Sequence, residues 1–180
     1  MAQEPLINER VATRDFKYYI FDWDDNILQM PTRIHLEKRQ ADGSWVPHAV
    51  STALFTVVRR DSENYRPPQN NWDLAFREFR DCTGEPAHNF LRDTRKAIKA
   101  VLKGRSAPAP SFKTFRQTLT EGRLFAIVTA RGHASTTLQQ GVRLFMEMVL
   151  TTAERRDMLA NLRGYRHFYD GLTTFGSDDE

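Results

Sequence analysis

The chain is poor in the features that mark several protein classes. It has one cysteine, Cys82, in 180 residues. That rules out an intrachain disulfide framework and makes a reducing cytoplasm the expected compartment. No apolar run approaches the ~20 residues that cross a bilayer, so no membrane partner is expected. The first fifteen residues lack the apolar core of a secretory signal. There is no Gly-rich phosphate loop ending in Lys-Ser/Thr and no Gly-x-Ser-x-Gly elbow, and no internal repeat or low-complexity tract. His35, His48, His88, His133 and His167 are scattered without metal-ligand spacing. An excess of one charge sign is absent as well: 26 Lys and Arg against 23 Asp and Glu leave a net charge of only +3. It is unevenly spread, with thirteen Lys and Arg against seven Asp and Glu over residues 59–116. A basic stretch of that kind suits anionic substrates or nucleic acid, and also serves as a plain solvated helix face.

The strongest positive feature is Phe16-Lys-Tyr-Tyr-Ile-Phe-Asp-Trp-Asp-Asp-Asn-Ile-Leu28. A short, aromatic-rich apolar run predicts a buried strand. It delivers Asp22 and Asp24 at a spacing of two, which in extended chain points both to one side. Open α/β sheets bind ligands at the carboxyl ends of their strands. Two carboxylates crowded there have their pKa values pushed apart, so one residue type can supply a nucleophile and a proton donor. A calcium loop of the EF-hand type also starts Asp-x-Asp-x-Asn, but it needs Gly sixth and Glu twelfth, where this chain has Ile27 and Arg33.

Around this segment the pattern alternates strands and helices. Ile34–Lys38 and Trp45–Val50 predict a β-hairpin turning near Asp42-Gly43, with Pro47 marking an edge strand. Ser51 or Thr52 caps a short helix through Arg59, and Asn71 caps another through Arg80. Tyr65–Asn71 is expected as a loop between them. Pro86 opens a helix that ends near Lys103-Gly104. Ser106-Ala-Pro-Ala-Pro110 is a stiff linker. A helix from Ser111 to Glu121 ends at Gly122. Leu124–Val128 is a second continuous apolar strand, ending in Thr129-Ala-Arg-Gly132. Helices are expected over Ser135–Leu150 and Thr152–Leu162, and Leu172–Phe175 as a third, weaker strand. Alternation of this kind implies an α/β fold with a doubly wound parallel sheet. Residues 1–14 form a leader, 15–28 and 111–180 the α/β core, and 29–110 an inserted, mostly helical cap containing the hairpin.

Phe21-Asp-Trp-Asp-Asp-Asn-Ile-Leu28 resembles the first motif of the haloacid dehalogenase-like superfamily of phosphatases, an apolar strand ending Asp-x-Asp. Leu124-Phe-Ala-Ile-Val-Thr129 resembles the second, an apolar strand ending in Thr or Ser. A cap inserted soon after the first motif is also a familiar arrangement there. The resemblance implies a Rossmann-like fold and a phosphohydrolase acting on small phosphomonoesters. Asp22 would be the nucleophile that forms an aspartyl-phosphate, and Asp24 the general acid and base. Mg²⁺ would be held by Asp22 and by the backbone carbonyl of Asp24. Thr129 and the Ala130 amide would hold phosphoryl oxygens.

Two departures from the pattern are mild. Asp25 replaces a frequent Gly, and Asp accepts a left-handed backbone better than most residues. Asn26 replaces Thr or Val. A larger departure lies downstream. The superfamily's third motif is a Lys and its fourth an acidic pair, yet no Lys follows Lys113. Either Asp178 and Asp179 stand in for the acidic pair, or the chain stops short of both motifs. In the second case it is a non-catalytic fragment or binding module, whose basic segment holds an anionic partner such as nucleic acid. The sequence sets neither the substrate nor the oligomeric state.

Overall fold

The computed structural model describes residues 17–81 and 88–175. In chain order the elements are β1 (Tyr18–Phe21), β2 (Ile34–Arg39), β3 (Trp45–Val50), α1 (Thr52–Val58), β4 (Tyr65–Arg66), α2 (Trp72–Ala75), α3 (His88–Leu102), α4 (Phe112–Thr120), β5 (Leu124–Ile127), α5 (Ser135–Val149) and α6 (Thr152–Phe175). Short 3-10 turns lie at Pro68–Asn70 and Arg77–Phe79. The architecture is mixed α/β, with a small parallel sheet, an antiparallel sheet and several helices. The chain divides into two compact units, one of residues 1–27, 108–129 and 146–180, the other of residues 28–107 and 130–145.

The first unit is built on the parallel pair β1–β5, in the register Tyr18↔Leu124 to Phe21↔Ile127. Alternation along the strands sends Phe21 and Phe125 to one face, where both meet Phe115 of α4 edge-on, at centroid distances of 5.1 and 5.4 Å. On the opposite face Tyr18 and Ile20 are exposed, Ile20 at 66 %. The expectation of a buried strand is therefore half met. Parallel strands read as continuous apolar runs when helices cover both faces, and here α4 covers only one.

Gly122 ends the approach to β5 at φ +62. A Cβ there would lie 3.0 Å from the Cβ of Asn161 on α6, so both backbone angle and space require glycine. Arg116 of α4 grips Glu154 of α6 through two bonds of 2.9 Å, and the Asn161 amide donates to the Thr120 carbonyl.

In the second unit β2 pairs antiparallel with β3 and with β4, giving the order β3-β2-β4. The hairpin turns at Asp42-Gly43 as expected. The Asp42 carboxylate accepts the Ser44 amide at 2.9 Å, and Gly43 takes φ +83. Pro47 lies on β3, an edge strand, where its missing N–H costs no ladder bond. Ile34, Leu36, Val50, Val58 and Ala75 form this unit's core, with Phe55, Tyr65, Phe76 and Phe79 packed against it. The Ser51 hydroxyl accepts from Leu54 to cap α1, and the Asn71 side chain accepts from Asp73 to cap α2.

Three expectations are corrected. The segment after Tyr65 is not all loop, since Tyr65–Arg66 pairs with β2. The helix capped by Asn71 stops at Ala75 rather than Arg80. Beyond it the chain serves other partners: the Phe79 carbonyl accepts the Gly132 amide at 2.8 Å, and Arg80 bridges Gly132. Finally, Leu172–Phe175 is the last turn of α6 and not a strand. A four-residue apolar run fits either period, and a helix already formed extends at little cost per residue. The proposed helix start at Pro86 lies outside the described residues.

Candidate active site

The acidic segment begins where β1 ends. The amide of Val128 donates to the Phe21 carbonyl at 2.8 Å, one step beyond the paired strands. Asp22 follows Phe21 and Thr129 follows Val128, so both leave the carboxyl end of one parallel pair, on adjacent strands. After Asp22 the chain leaves extended geometry. The Ile27 amide donates to the Trp23 carbonyl, and Asp25 sits at φ 55, a left-handed position that Asp tolerates. The Asn26 carbonyl accepts the Ser111 amide at 2.8 Å, which ties the turn to the start of α4.

Trp23 explains why the two acids are separated as they are. It is 0 % exposed and packs edge-on against Phe115 at 6.4 Å, anchoring the turn in the core. Asp22 and Asp25 are exposed and Asp24 half-buried. The Asp22 carboxylate accepts the Trp23 amide at 2.7 Å. Its pKa is nonetheless raised. Loss of hydration is the largest cause, and the negative charges of Asp24 and Asp25 add to it, against amide bonds from Trp23 and Asp24 that pull it down. The ionised form is therefore less favoured at Asp22 than at a free carboxylate.

The donor chemistry here suits magnesium. That ion takes hard oxygen ligands and is commonly held by one or two carboxylates plus water and substrate phosphate. Asp22 and Asp24 are of that type, and a cation would offset the lost hydration of Asp22 and the lesser repulsion from Asp24. Among the described residues no group of three or more His, Cys, Asp or Glu is placed to hold a metal. Asp178 and Asp179 lie outside the described residues. Thr129 is half-buried; Ala130 is exposed and opens the second stretch of the other unit.

Arg131 and His133, which the sequence places close to this turn, belong to a different constellation. Arg131 is buried, donates to the Thr32 hydroxyl at 2.8 Å, and lies over the rings of Phe79 and Phe90 at 4.6 and 5.3 Å. Thr32 in turn donates to buried Asp93 at 3.1 Å. His133 is buried with its ring 4.9 Å from Phe90. Asp81 caps α5, accepting the Ala134 amide at 2.7 Å and the Thr137 hydroxyl. Sequence reasoning missed Thr32, Asp81 and Asp93, because each finds its partner dozens of residues away and carries no local signal. An open groove of about 380 Å³ runs along α6 between Arg155, Arg156, Leu159 and Arg163.

No family model, curated relative or solved structure matches the chain. No helix among the described residues is long and apolar enough to cross a membrane.

Proposed function

We propose that the protein is a phosphohydrolase of the haloacid dehalogenase-like kind, cleaving small phosphomonoesters at the carboxyl end of β1, on a core of Rossmann-like, doubly wound descent with residues 29–110 as its cap. The observation that carries this reading is the β1–β5 register. Asp22 follows one residue, and Thr129 two residues, beyond the ends of neighbouring parallel strands, at the end where such sheets bind ligands.

In this reading the Asp22 carboxylate attacks phosphorus and the ester oxygen–phosphorus bond breaks. Asp24 gives its proton to the departing oxygen. Water then attacks the aspartyl-phosphate, Asp24 takes the proton back, and phosphate leaves with Asp22 restored. Thr129 and the Ala130 amide hold the phosphoryl oxygens as charge develops. Asp22 and the Asp24 carbonyl would hold magnesium, which when bound would neutralise phosphate charge. The anchored Trp23 fixes the Asp22–Asp24 offset, and the unfavourable ionisation of Asp22 raises its basicity and so its nucleophilicity.

A phosphate-release assay on a generic phosphomonoester, with and without Mg²⁺, tests this. The expected result is Mg²⁺-dependent turnover, lost in Asp22→Asn because an amide cannot form the acyl-phosphate. Turnover that survives Asp22→Asn, or none with either protein, ends the proposal.

A further inference from the structure

We infer that the exposed face of α3 is a docking ridge for the phosphate backbone of nucleic acid, a surface independent of the acidic turn. Arg92, Arg95, Lys96 and Lys99 of α3, with Lys103 one residue past its end, fall at i, i+3, i+4, i+7 and i+11, the spacing that keeps side chains on one face of a helix. All five are exposed. At 1.5 Å per residue the ridge is about 16 Å long. Arg105 continues it past the helix end, also exposed.

The opposite face holds Phe90, Asp93, Thr94, Ala97 and Ile98, all buried, so the orientation of α3 is fixed by its core. Asp93, the helix's one acid, is turned inward to the Thr32 hydroxyl. It meets Arg92 at 3.6 Å, and no acidic side chain among the described residues pairs with Arg95, Lys96, Lys99, Lys103 or Arg105. A solvated helix face ordinarily interleaves acids with bases, and this one does not.

The chemistry selects the partner. Protein interfaces are anchored by aromatic and apolar residues in a desolvated centre, and this ridge offers only Leu102, at its far end. A membrane-surface helix needs its apolar face free to enter lipid, and that face of α3 is committed to the core. A row of exposed cations, of which only Arg92 meets an acid among the described residues, without apolar anchors fits a regular row of phosphates, contacted without regard to base sequence.

Fluorescence anisotropy with a labelled duplex DNA of about 20 base pairs tests the inference on the full chain. Five phosphate contacts predict an affinity falling on the order of 10²–10³-fold between 50 and 200 mM salt, and equal for a scrambled duplex. Lys96→Gln/Lys99→Gln/Lys103→Gln should weaken binding at least ~10-fold at low salt and flatten the log–log salt slope by about 3. Lys99→Gln alone should flatten it by about 1. Arg155→Gln/Arg156→Gln/Arg163→Gln on α6 should change neither. The substituted side chains are exposed, so an unchanged thermal midpoint is expected. An unaltered slope in the triple variant overturns the inference. So does tighter binding to polyglutamate or to phosphatidylserine vesicles than to the duplex.

Discussion

Two aspartate-centred constellations in this protein are built in opposite ways. The turn holding Asp22, Asp24 and Asp25 is contiguous in sequence and open to solvent, and its charges repel. The cluster of Thr32, Asp93 and Arg131 is gathered from three distant stretches, closed to solvent and complementary: the guanidinium bonds the hydroxyl, the hydroxyl bonds the carboxylate, and two aromatic rings cover the cation. The first arrangement crowds like charges whose repulsion works against the amide bonds that Asp22 accepts, while the second sets each hydroxyl and charge against a complementary partner. A polar group kept in an unfavourable state at the carboxyl end of a strand is suited to chemistry, and one sealed among partners is suited to holding chain segments together.

Substitution separates the two. The largest effect is expected at the open turn and on activity alone. If the proposed chemistry runs at this turn, Asp24→Asn should slow phosphomonoester turnover by roughly 10²–10⁴, the usual worth of a general acid or base, while its thermal midpoint stays close to that of the parent. A large drop in midpoint would show that the turn is structural and erase the contrast.

At the sealed cluster the expectation reverses. Arg131→Ala strips a buried cation from its hydroxyl and ring partners and should cost about 3–5 kcal/mol in denaturant unfolding, the range for breaking a buried charged network from one side. A cost below about 1 kcal/mol would mean that water satisfies the site and that it is no seal.

Smaller still is the cap of α5. Asp81→Ala frees the Ala134 amide and the Thr137 hydroxyl and should destabilise by about 1 kcal/mol. Asp81→Asn should recover most of that loss.

Two pH experiments sharpen the electrostatic side. Asp25 raises the pKa of Asp22 through charge repulsion. Asp25→Asn removes that repulsion and keeps a residue that accepts the left-handed backbone, so the acid limb of kcat/KM should move to lower pH. Movement to higher pH would contradict the repulsion. Glu154 shows the opposite sign: bonds from Arg116, then from Thr151, lower its pKa to about 2. Because the folded value lies below the unfolded one, its stabilising contribution is complete above the ordinary carboxylate range and is lost as pH falls toward 2. Glu154→Gln should therefore destabilise modestly at neutral pH, by about 1 kcal/mol given its partial exposure, and by less near pH 2.

Local rules read much of the chain correctly because the physics involved is local. Asp42-Gly43 turns the hairpin, Ser51 and Asn71 cap helices through their own side chains, and Pro47 excludes its strand from the sheet interior. Gly122 breaks α4 by its backbone freedom. The two apolar runs ending at Asp22 and Thr129 become adjacent parallel strands. Where two periodicities fit a short segment, as at Leu172–Phe175, local rules had no means to choose, and the helix already running through α6 decided.

The sequence by itself determined the hairpin, the helix caps and the placement of an acid pair after an apolar strand, since each depends on contacts within a few residues. Only the tertiary structure decided which side of β1 is covered, because that depends on where α4 packs. It also decided that Trp23 anchors the acidic turn, and that Arg131 seals a buried cluster with Thr32 and Asp93. Those outcomes rest on partners brought together across the fold, and neither the spacing nor the composition of any one segment encodes which partner a buried charge will meet.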